Sequence, residues 1–215
     1  MKKMTEATRL RGLYAITPGG LPGERLIEQV DSALRGGATL VQYRDKQRDS
    51  TQQAEIARAL RVLCRQHGAR LIVNDNLQLA LAVDADGLHL GGSDGDLTAA
   101  RRALGAGKLL GASCYADFEL ARQAVAAGAD YVAFGAVYPS PTKPQAVRAP
   151  HALFARCRAE LNVASCAIGG ITVANGPALV AAGADLLAVI TDLFEASDVA
   201  ARAGDFAQLF AGDPT

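Results

Sequence analysis

The feature that most constrains the fold is an alternation of short apolar runs with segments of helical spacing, repeated eight times along 215 residues. Strands that are apolar almost throughout are typical of a parallel sheet, because both of its faces are buried. Strands are predicted at 12–17, 39–44, 70–74, 87–90, 109–113, 131–137, 165–168 and 186–190. The segments after the third and eighth strands are ambiguous. Helices are predicted between the other strands at 25–35, 51–66, 97–104, 118–127, 151–160 and 174–182.

A weak internal repeat supports the alternation. AAGADYVAFG at 126–135 recurs as AAGADLLAVI at 181–190, and RGGATLVQYR at 35–44 is a looser copy. In each copy a helix ends at a glycine and a short turn leads into the next strand. Eight such units predict a single-domain α/β protein, a (β/α)8 TIM barrel over 1–215 with its core at about 11–211. An open doubly wound sheet is less favoured, because no GxGxxG follows the first strand.

Composition excludes several classes of function. Half of the residues are hydrophobic and a fifth are charged, and Lys plus Arg equals Asp plus Glu at 22 each. This balance indicates a globular chain without the basic face of a nucleic-acid binder. No signal peptide and no long apolar run are present, so we expect no membrane partner and a cytoplasmic protein. Four scattered cysteines without a CxxC pair are expected to be free thiols, and self-association stays open.

Polar residues gather where the predicted strands end, the part of such a barrel that displays its chemistry. At the end of the second strand, Gln42, Arg44 and Lys46 alternate with Tyr43 and Asp45. Period-two spacing directs the first three to one side, into the barrel mouth. Two cations and an amide suit a multiply charged anion such as a phosphate ester. A solvated charge run at a strand end is the alternative interpretation.

The third and fourth strands predict a metal site. Asn74 and Asp75 end the third strand, and Asp94 lies just beyond the fourth. Carboxylates on adjacent strands beside a phosphate site are typical of Mg²⁺, although both segments are also ordinary turn sequences. His89 alternates within an apolar strand and is interpreted as a packed, hydrogen-bonded residue. Ser113, at the end of the fifth strand, is interpreted as a hydrogen-bonding residue, not a nucleophile.

The last three strands carry candidate phosphate ligands. Ser140 and Thr142 could hold a monophosphate with their hydroxyls and loop amides, and Lys143 could reach a second anion. Gly169–Gly170 and Thr191 follow the seventh and eighth strands, where many phosphate-binding barrels supply backbone amides. A plain surface turn and a packing requirement for the glycine pair are the alternatives.

Taken in order, these segments resemble the thiamine phosphate synthase family. The segments are GLYAIT, VQYRDK, LIVND, DGLHLGGSD, GASCY, DYVAFGAVYPSPTKP, AIGGIT and LAVIT, and together they span about 11–194. The resemblance implies a transferase that joins a hydroxymethylpyrimidine diphosphate to a thiazole phosphate, forming thiamine phosphate and releasing pyrophosphate. Its implied partners are these phosphorylated small molecules, and its implied cofactor is Mg²⁺.

The resemblance also implies roles for individual residues. Catalysis would depend on Arg44, Lys46, Ser113 and Lys143. The pyrimidine diphosphate would contact Gln42, Tyr43, Arg44, Asp45, Lys46, Asn74, Ser113 and Lys143. The thiazole phosphate would contact Ser140, Pro141, Thr142, Gly170, Ile190 and Thr191, and Mg²⁺ would bind Asp75 and Asp94. Gly92 departs from the family pattern, because a larger polar residue is usual at that position.

Two other functions are compatible with a phosphate-binding barrel. A thiazole tautomerase would need a proton-transferring side chain, but Tyr115 stands where its catalytic histidine is expected. A non-catalytic barrel that senses a phosphorylated ligand is the second alternative. The complete set of charged strand-end residues favours the synthase over both.

Overall fold

The predicted barrel is present. The computed structural model describes residues 10–92, 94–139 and 147–211. In these ranges eight parallel strands pair in chain order, and β1 pairs with β8 to close the barrel. The strands are β1 Gly12–Ile16, β2 Leu40–Tyr43, β3 Arg70–Asn74, β4 Gly87–Leu90, β5 Leu109–Tyr115, β6 Tyr131–Gly135, β7 Ala164–Ile168 and β8 Leu186–Val189.

Helices alternate with the strands and cover the outside of the barrel. They are α1 Gly23–Arg35, α2 Ser50–Gln66, α3 Leu77–Ala82, α4 Leu97–Leu104, α5 Phe118–Ala126, α6 Ala152–Glu160, α7 Gly176–Ala181, α8 Thr191–Phe194 and α9 Val199–Gln208. Five begin after an Asp or Asn whose side chain accepts first-turn amide protons, which stabilises the helix start. These caps are Asp49, Asn76, Asp96, Asp117 and Asp198.

The two ambiguous segments contain short helices. α3 follows β3, and both α8 and α9 follow β8. The single turn of α8 stands at the end of β8, whereas α9 packs against α1 and β1 and completes the outer ring. No helix within the described ranges is long and apolar enough to cross a membrane.

Alternating strand residues build two apolar layers. Residues such as Val41 and Val73 point outward and pack under the helices. Their neighbours Leu40 and Ile72 point inward, into the barrel lumen, and join an inner cluster with Tyr14. The four cysteines are buried and free of disulfides, as predicted.

The internal repeat corresponds to one structural device at the barrel base, the N-terminal ends of the strands. Asp86, Asp130 and Asp185 directly precede β4, β6 and β8. Each accepts the backbone N–H of a residue on the preceding strand, at 2.7–2.9 Å. Each also pairs with an arginine of the preceding even-numbered helix. The arginines are Arg61, Arg101 and Arg158.

The turn before each of these aspartates explains the repeated glycine. Gly128 and Gly183 both have φ near +99°, a conformation that glycine adopts without strain. Gly37, in the looser copy, has φ +102° but precedes Thr39, whose hydroxyl donates to backbone carbonyls instead. In the β4 unit, Asp84 occupies the position that this glycine holds in the other units, and its φ is +51°. The β4 unit is therefore a further copy of this turn, although it lacks the glycine that marks the repeat in the sequence.

Candidate active site

The second strand brings its polar residues to the barrel mouth, the C-terminal ends of the strands and the loops that follow. β2 ends at Tyr43, one residue before the predicted end. Gln42 is only 3% exposed and lies in the lumen, whereas Arg44 and Lys46 are exposed in the loop. Thr17, which follows β1, accepts the backbone N–H of Arg44 at 2.9 Å. Arg44 is thereby anchored through its main chain while its guanidinium faces solvent.

Tyr43 and Asp45 have supporting contacts. The Tyr43 ring packs in the outer layer, and its hydroxyl donates to the Asp45 carboxylate at 3.3 Å. Asp45 also accepts the backbone N–H groups of Gln47 and Arg48 and pairs with the Arg48 guanidinium. Burial alone would raise the pKa of Asp45, but these hydrogen bonds and the guanidinium lower it. The carboxylate is thus used to shape the β2–α2 loop that carries Lys46.

The two predicted metal ligands lie together. Asp75 follows β3 with φ +59°, and its N–H donates to the carbonyl of His89 on β4 at 2.9 Å. Asn74 donates to the Asp75 carboxylate at 2.6 Å, and Lys46 Nζ lies 3.8 Å from it. Burial and the neighbouring Asp94 carboxylate raise the pKa of Asp75. Two carboxyl groups so close that one disfavours ionisation of the other form an arrangement that a cation would stabilise.

Gly91 makes room for Asp94. A Cβ at Gly91 would overlap the Asp94 carboxylate, so the glycine lets this side chain fold back toward β3. Asp94 donates its own N–H to the Gly91 carbonyl at 3.2 Å. The Gly92 N–H donates to the hydroxyl of Tyr115, which is half exposed at the end of β5. Tyr115 therefore supports this loop.

A narrow cleft opens beside these residues. It has a volume of about 200 Å³, and Lys46, Asn74 and Asp75 are among its lining residues. A larger groove of about 620 Å³ lies between the β5–α5 loop and α6, where Arg156 stacks on Phe118. That groove also contains charged residues, Asp117, Glu119 and Arg156, but its lining includes none of the strand-end residues predicted to bind the anion and the metal ion. The charged cleft is therefore the stronger candidate for an anion and a metal ion.

The far side of the mouth is built from main chain and small residues. Gly169 and Gly170 both have positive φ after β7. A Cβ at Gly170 would overlap the Pro139 carbonyl, so the glycine is required by the close approach of the β6–α6 loop. Ile190 follows β8, and Thr191 begins α8. A short extra helix after the eighth strand recurs in phosphate-binding barrels.

Four of the predicted site residues lie outside the described residues: Ser140, Pro141, Thr142 and Lys143. The ring of Tyr43 packs in the outer layer, whereas the remaining predicted site residues lie at the mouth or the top of the lumen, and the roles of all of them as ligands stay predictions. Sequence reasoning missed Thr17, Tyr14 and Tyr131. A polar side chain at an inward position of an apolar strand is the signal that would have identified the two tyrosines.

His89 is a packed residue, as predicted. It is 7% exposed and makes hydrogen bonds through both ring nitrogens, to Tyr131 and to Ser113. Burial lowers the pKa of His89 to about 4. The imidazole is therefore neutral at physiological pH.

Fold and site define a parallel (β/α)8 barrel with charged side chains concentrated at its mouth. A model of the thiamine monophosphate synthase family matches residues 13–193, and the chain belongs to this family.

Individual relatives agree with this assignment. The chain is 58% identical to a thiamine-phosphate synthase from Aromatoleum aromaticum over 94% of this chain and 98% of the relative. It is 52% identical to one from Thioalkalivibrio sulfidiphilus, over 96% and 99%. The solved structure of a thiamine phosphate pyrophosphorylase from Pyrococcus furiosus superposes with a TM-score of 0.82 at 33% identity, covering 94% of this chain and 96% of that one. These names favour the synthase over the tautomerase and the ligand sensor.

Proposed function

We propose that this chain is a transferase that makes thiamine phosphate. Its substrates are 4-amino-2-methyl-5-hydroxymethylpyrimidine diphosphate and 4-methyl-5-(2-phosphooxyethyl)thiazole, and its second product is pyrophosphate. The observation that carries the proposal is the convergence of Asp75, Asp94 and Lys46 at the mouth of a barrel of this family.

The chemistry follows from the charges that develop. The bond between the pyrimidinylmethyl carbon and the diphosphate oxygen breaks, and its electron pair leaves with pyrophosphate. The aminopyrimidine ring stabilises the positive carbon, and the lone pair of the thiazole nitrogen then forms the new C–N bond. No protein nucleophile is needed. Arg44 and Lys46 would stabilise the growing negative charge on the leaving group, which is the largest kind of catalytic contribution.

Asp75 and Asp94 are the residues that would hold Mg²⁺. Within the described part of the chain no group of three or more His, Cys, Asp or Glu side chains is gathered, so the protein would supply two carboxylates. Mg²⁺ typically takes one or two carboxylates and completes its shell with substrate oxygens and water. Bound there, the ion would neutralise charge on the diphosphate.

The thiazole phosphate would bind on the opposite side of the mouth. Gly170, Ile190 and Thr191 lie there, and Ser140, Pro141 and Thr142 are predicted to bind the same phosphate. Backbone amides and hydroxyls suit a monophosphate because they need no long side chain to be ordered. Lys143 is predicted to bind the diphosphate.

The test is an assay of the purified protein with both substrates and Mg²⁺, in which pyrophosphate and thiamine phosphate are both quantified. We expect equal amounts of the two products and no pyrophosphate release without the thiazole phosphate. Pyrophosphate without thiamine phosphate would indicate a hydrolase, and substrate binding without turnover would indicate a ligand sensor. Either result would overturn the proposal.

A further inference from the structure

A chain of hydrogen bonds crosses the barrel lumen and ends at the candidate active site. Its members come from five strands, and four of them are at most 7% exposed. In order they are Gln42 on β2, Tyr14 on β1, Tyr131 on β6, His89 on β4 and Ser113 on β5. Both end residues are among those predicted to contact the pyrimidine diphosphate.

Each link has the geometry of a hydrogen bond. Gln42 Nε2 donates to the Tyr14 hydroxyl at 2.7 Å, and the Tyr14 and Tyr131 hydroxyls are 2.8 Å apart. The Tyr131 hydroxyl lies 3.0 Å from His89 Nδ1, and His89 Nε2 lies 2.9 Å from Ser113 Oγ. The middle of the chain is sterically defined, because a Cβ on Gly111 would overlap the Tyr131 phenol.

The number of protons that each group can donate determines the donor-to-acceptor direction along this series of hydrogen bonds. The Gln42 amide nitrogen can only donate, so the Tyr14 hydroxyl accepts and must use its own proton elsewhere. Its proton goes to Tyr131, because a buried donor left without an acceptor costs about 1–3 kcal/mol. Tyr131 then donates to His89 Nδ1. A neutral imidazole that accepts at Nδ1 carries its proton on Nε2 and donates it to Ser113.

We infer that Gln42, Tyr14, Tyr131 and His89 are positioning residues that make Ser113 a hydrogen-bond donor toward the mouth. Because Ser113 Oγ accepts from His89, its own proton is available to a ligand at the end of β5. The group it recognises must be an acceptor, such as a ring nitrogen or a phosphate oxygen. This assignment deepens the proposed function and rests on it for the identity of the substrate. The direction of the hydrogen bonds does not depend on the proposed function.

The first experiment reads the direction without any substrate. Nitrogen-15 NMR distinguishes the two neutral tautomers of an imidazole. The protein has only three histidines, so the signal that disappears in a His89→Gln variant is that of His89. We expect the proton on Nε2 in the ligand-free protein at neutral pH. A proton on Nδ1 would overturn the inference, whether or not the protein makes thiamine phosphate.

A reversal variant sharpens this measurement. In Gln42→Glu the carboxylate can only accept when it is ionised, so Tyr14 would donate to it and every later bond would reverse. At alkaline pH, where the carboxylate is ionised, we expect His89 to change to the Nδ1 form. An unchanged imidazole in a folded variant would show that Gln42 does not set the direction. If the variant does not fold, Tyr131→Phe serves instead, and we expect it to give a mixture of both forms.

The second experiment connects the chain to binding. Ser113→Ala should weaken pyrimidine diphosphate binding about tenfold, as loss of one hydrogen bond does. In a Tyr131→Phe background the same change should cost only about twofold, because Ser113 no longer has a defined donor direction. Ser165→Ala, which removes another buried serine hydroxyl at the barrel base, is the matched control and should leave binding unchanged. Equal losses in both backgrounds would show that Ser113 acts independently of the chain.

Discussion

The two ends of the barrel treat charge in opposite ways. At the base, Asp86, Asp130 and Asp185 repeat one arrangement, in which a carboxylate accepts a backbone N–H and pairs with an arginine. At the mouth, Asp75 and Asp94 stand against each other, and Lys46 is 3.8 Å from the first of them. The base arrangement occurs before β4, β6 and β8, whereas the mouth arrangement occurs at β3 and β4 alone among the described strand ends.

This difference indicates where selection for stability and for function operates. Paired charges that satisfy backbone groups stabilise the fold, and before β4, β6 and β8 they satisfy the same kind of backbone N–H group. Like charges held together reduce stability, so they persist where a ligand compensates for them. Barrels of this class carry catalytic residues at the C-terminal ends of the strands and stabilising residues at the N-terminal ends. Each substitution below separates one end from the other.

The largest effect is expected from the carboxylates at the mouth. Asp75→Asn or Asp94→Asn should lower turnover about 10²- to 10³-fold, because the leaving-group charge loses the cation that these residues would hold. The measurement is initial pyrophosphate release at saturating substrates and Mg²⁺, and EDTA should abolish it in the wild-type protein. Activity that survives EDTA undiminished would contradict the metal assignment.

At the base, Asp185→Ala should reduce stability and leave turnover per folded molecule unchanged. Asp185 is fully buried and accepts the Ser165 N–H at 2.9 Å. Its removal leaves that N–H and the nearby Arg158 without this partner, at a cost of about 2–3 kcal/mol. Urea unfolding followed by circular dichroism measures the loss. A large fall in turnover without a fall in stability would show that the base takes part in the reaction.

Two exposed arginines give a matched pair at the two ends. Arg44→Ala at the mouth should lower turnover about tenfold and leave thiazole phosphate binding nearly unchanged, because the cation acts on the leaving group in the transition state. Arg70→Ala at the start of β3 should change neither. Calorimetric binding of the thiazole phosphate and steady-state kinetics provide the two readouts. If Arg44→Ala lost thiazole phosphate affinity and turnover to the same extent, Arg44 would be assigned to the thiazole phosphate and not to the diphosphate.

The smallest effect concerns pH and stability. The folded protein raises the pKa of Asp75, so it binds this proton more tightly than the unfolded chain does. The contribution of Asp75 to the stability of the metal-free protein should therefore fall as pH rises above about 4 and level off above the folded pKa. Asp75→Asn lacks this fall, so without metal it should match the wild-type protein in acid and exceed it at neutral pH. Unfolding curves in EDTA at several pH values test this, and a wild-type protein that gains on the variant as pH rises would contradict it.

Much of the fold could be predicted because its signals are local. Period and composition located all eight strands within a few residues, and the repeated glycines marked turns whose φ values agree to within a few degrees. The copy before β4 was missed, because Asp84 adopts the turn conformation that glycine adopts elsewhere. Asp tolerates positive φ better than most residues, but its sequence signal is weaker.

The site was less accessible to sequence reasoning, because its contacts join distant positions. Carboxylates at adjacent strand ends identified Asp75 and Asp94 and predicted their proximity, and the resemblance implied the same role. The bond between Tyr14 and Tyr131 joins residues 117 positions apart, and no local pattern reports it. The salt bridge between Asp45 and Arg48 could not be predicted either, because alternation indicates the side of the strand on which a residue lies but not the residue that it contacts.

The most direct test of the division between the two ends is a crystal structure of the protein with Mg²⁺, pyrophosphate and the thiazole phosphate. We expect the ion between Asp75 and Asp94, with the pyrophosphate toward Arg44 and Lys46. The monophosphate should lie against Gly170 and Thr191, at the ends of β7 and β8. A monophosphate bound at β2 and β3, or either ligand at the base, would contradict the account.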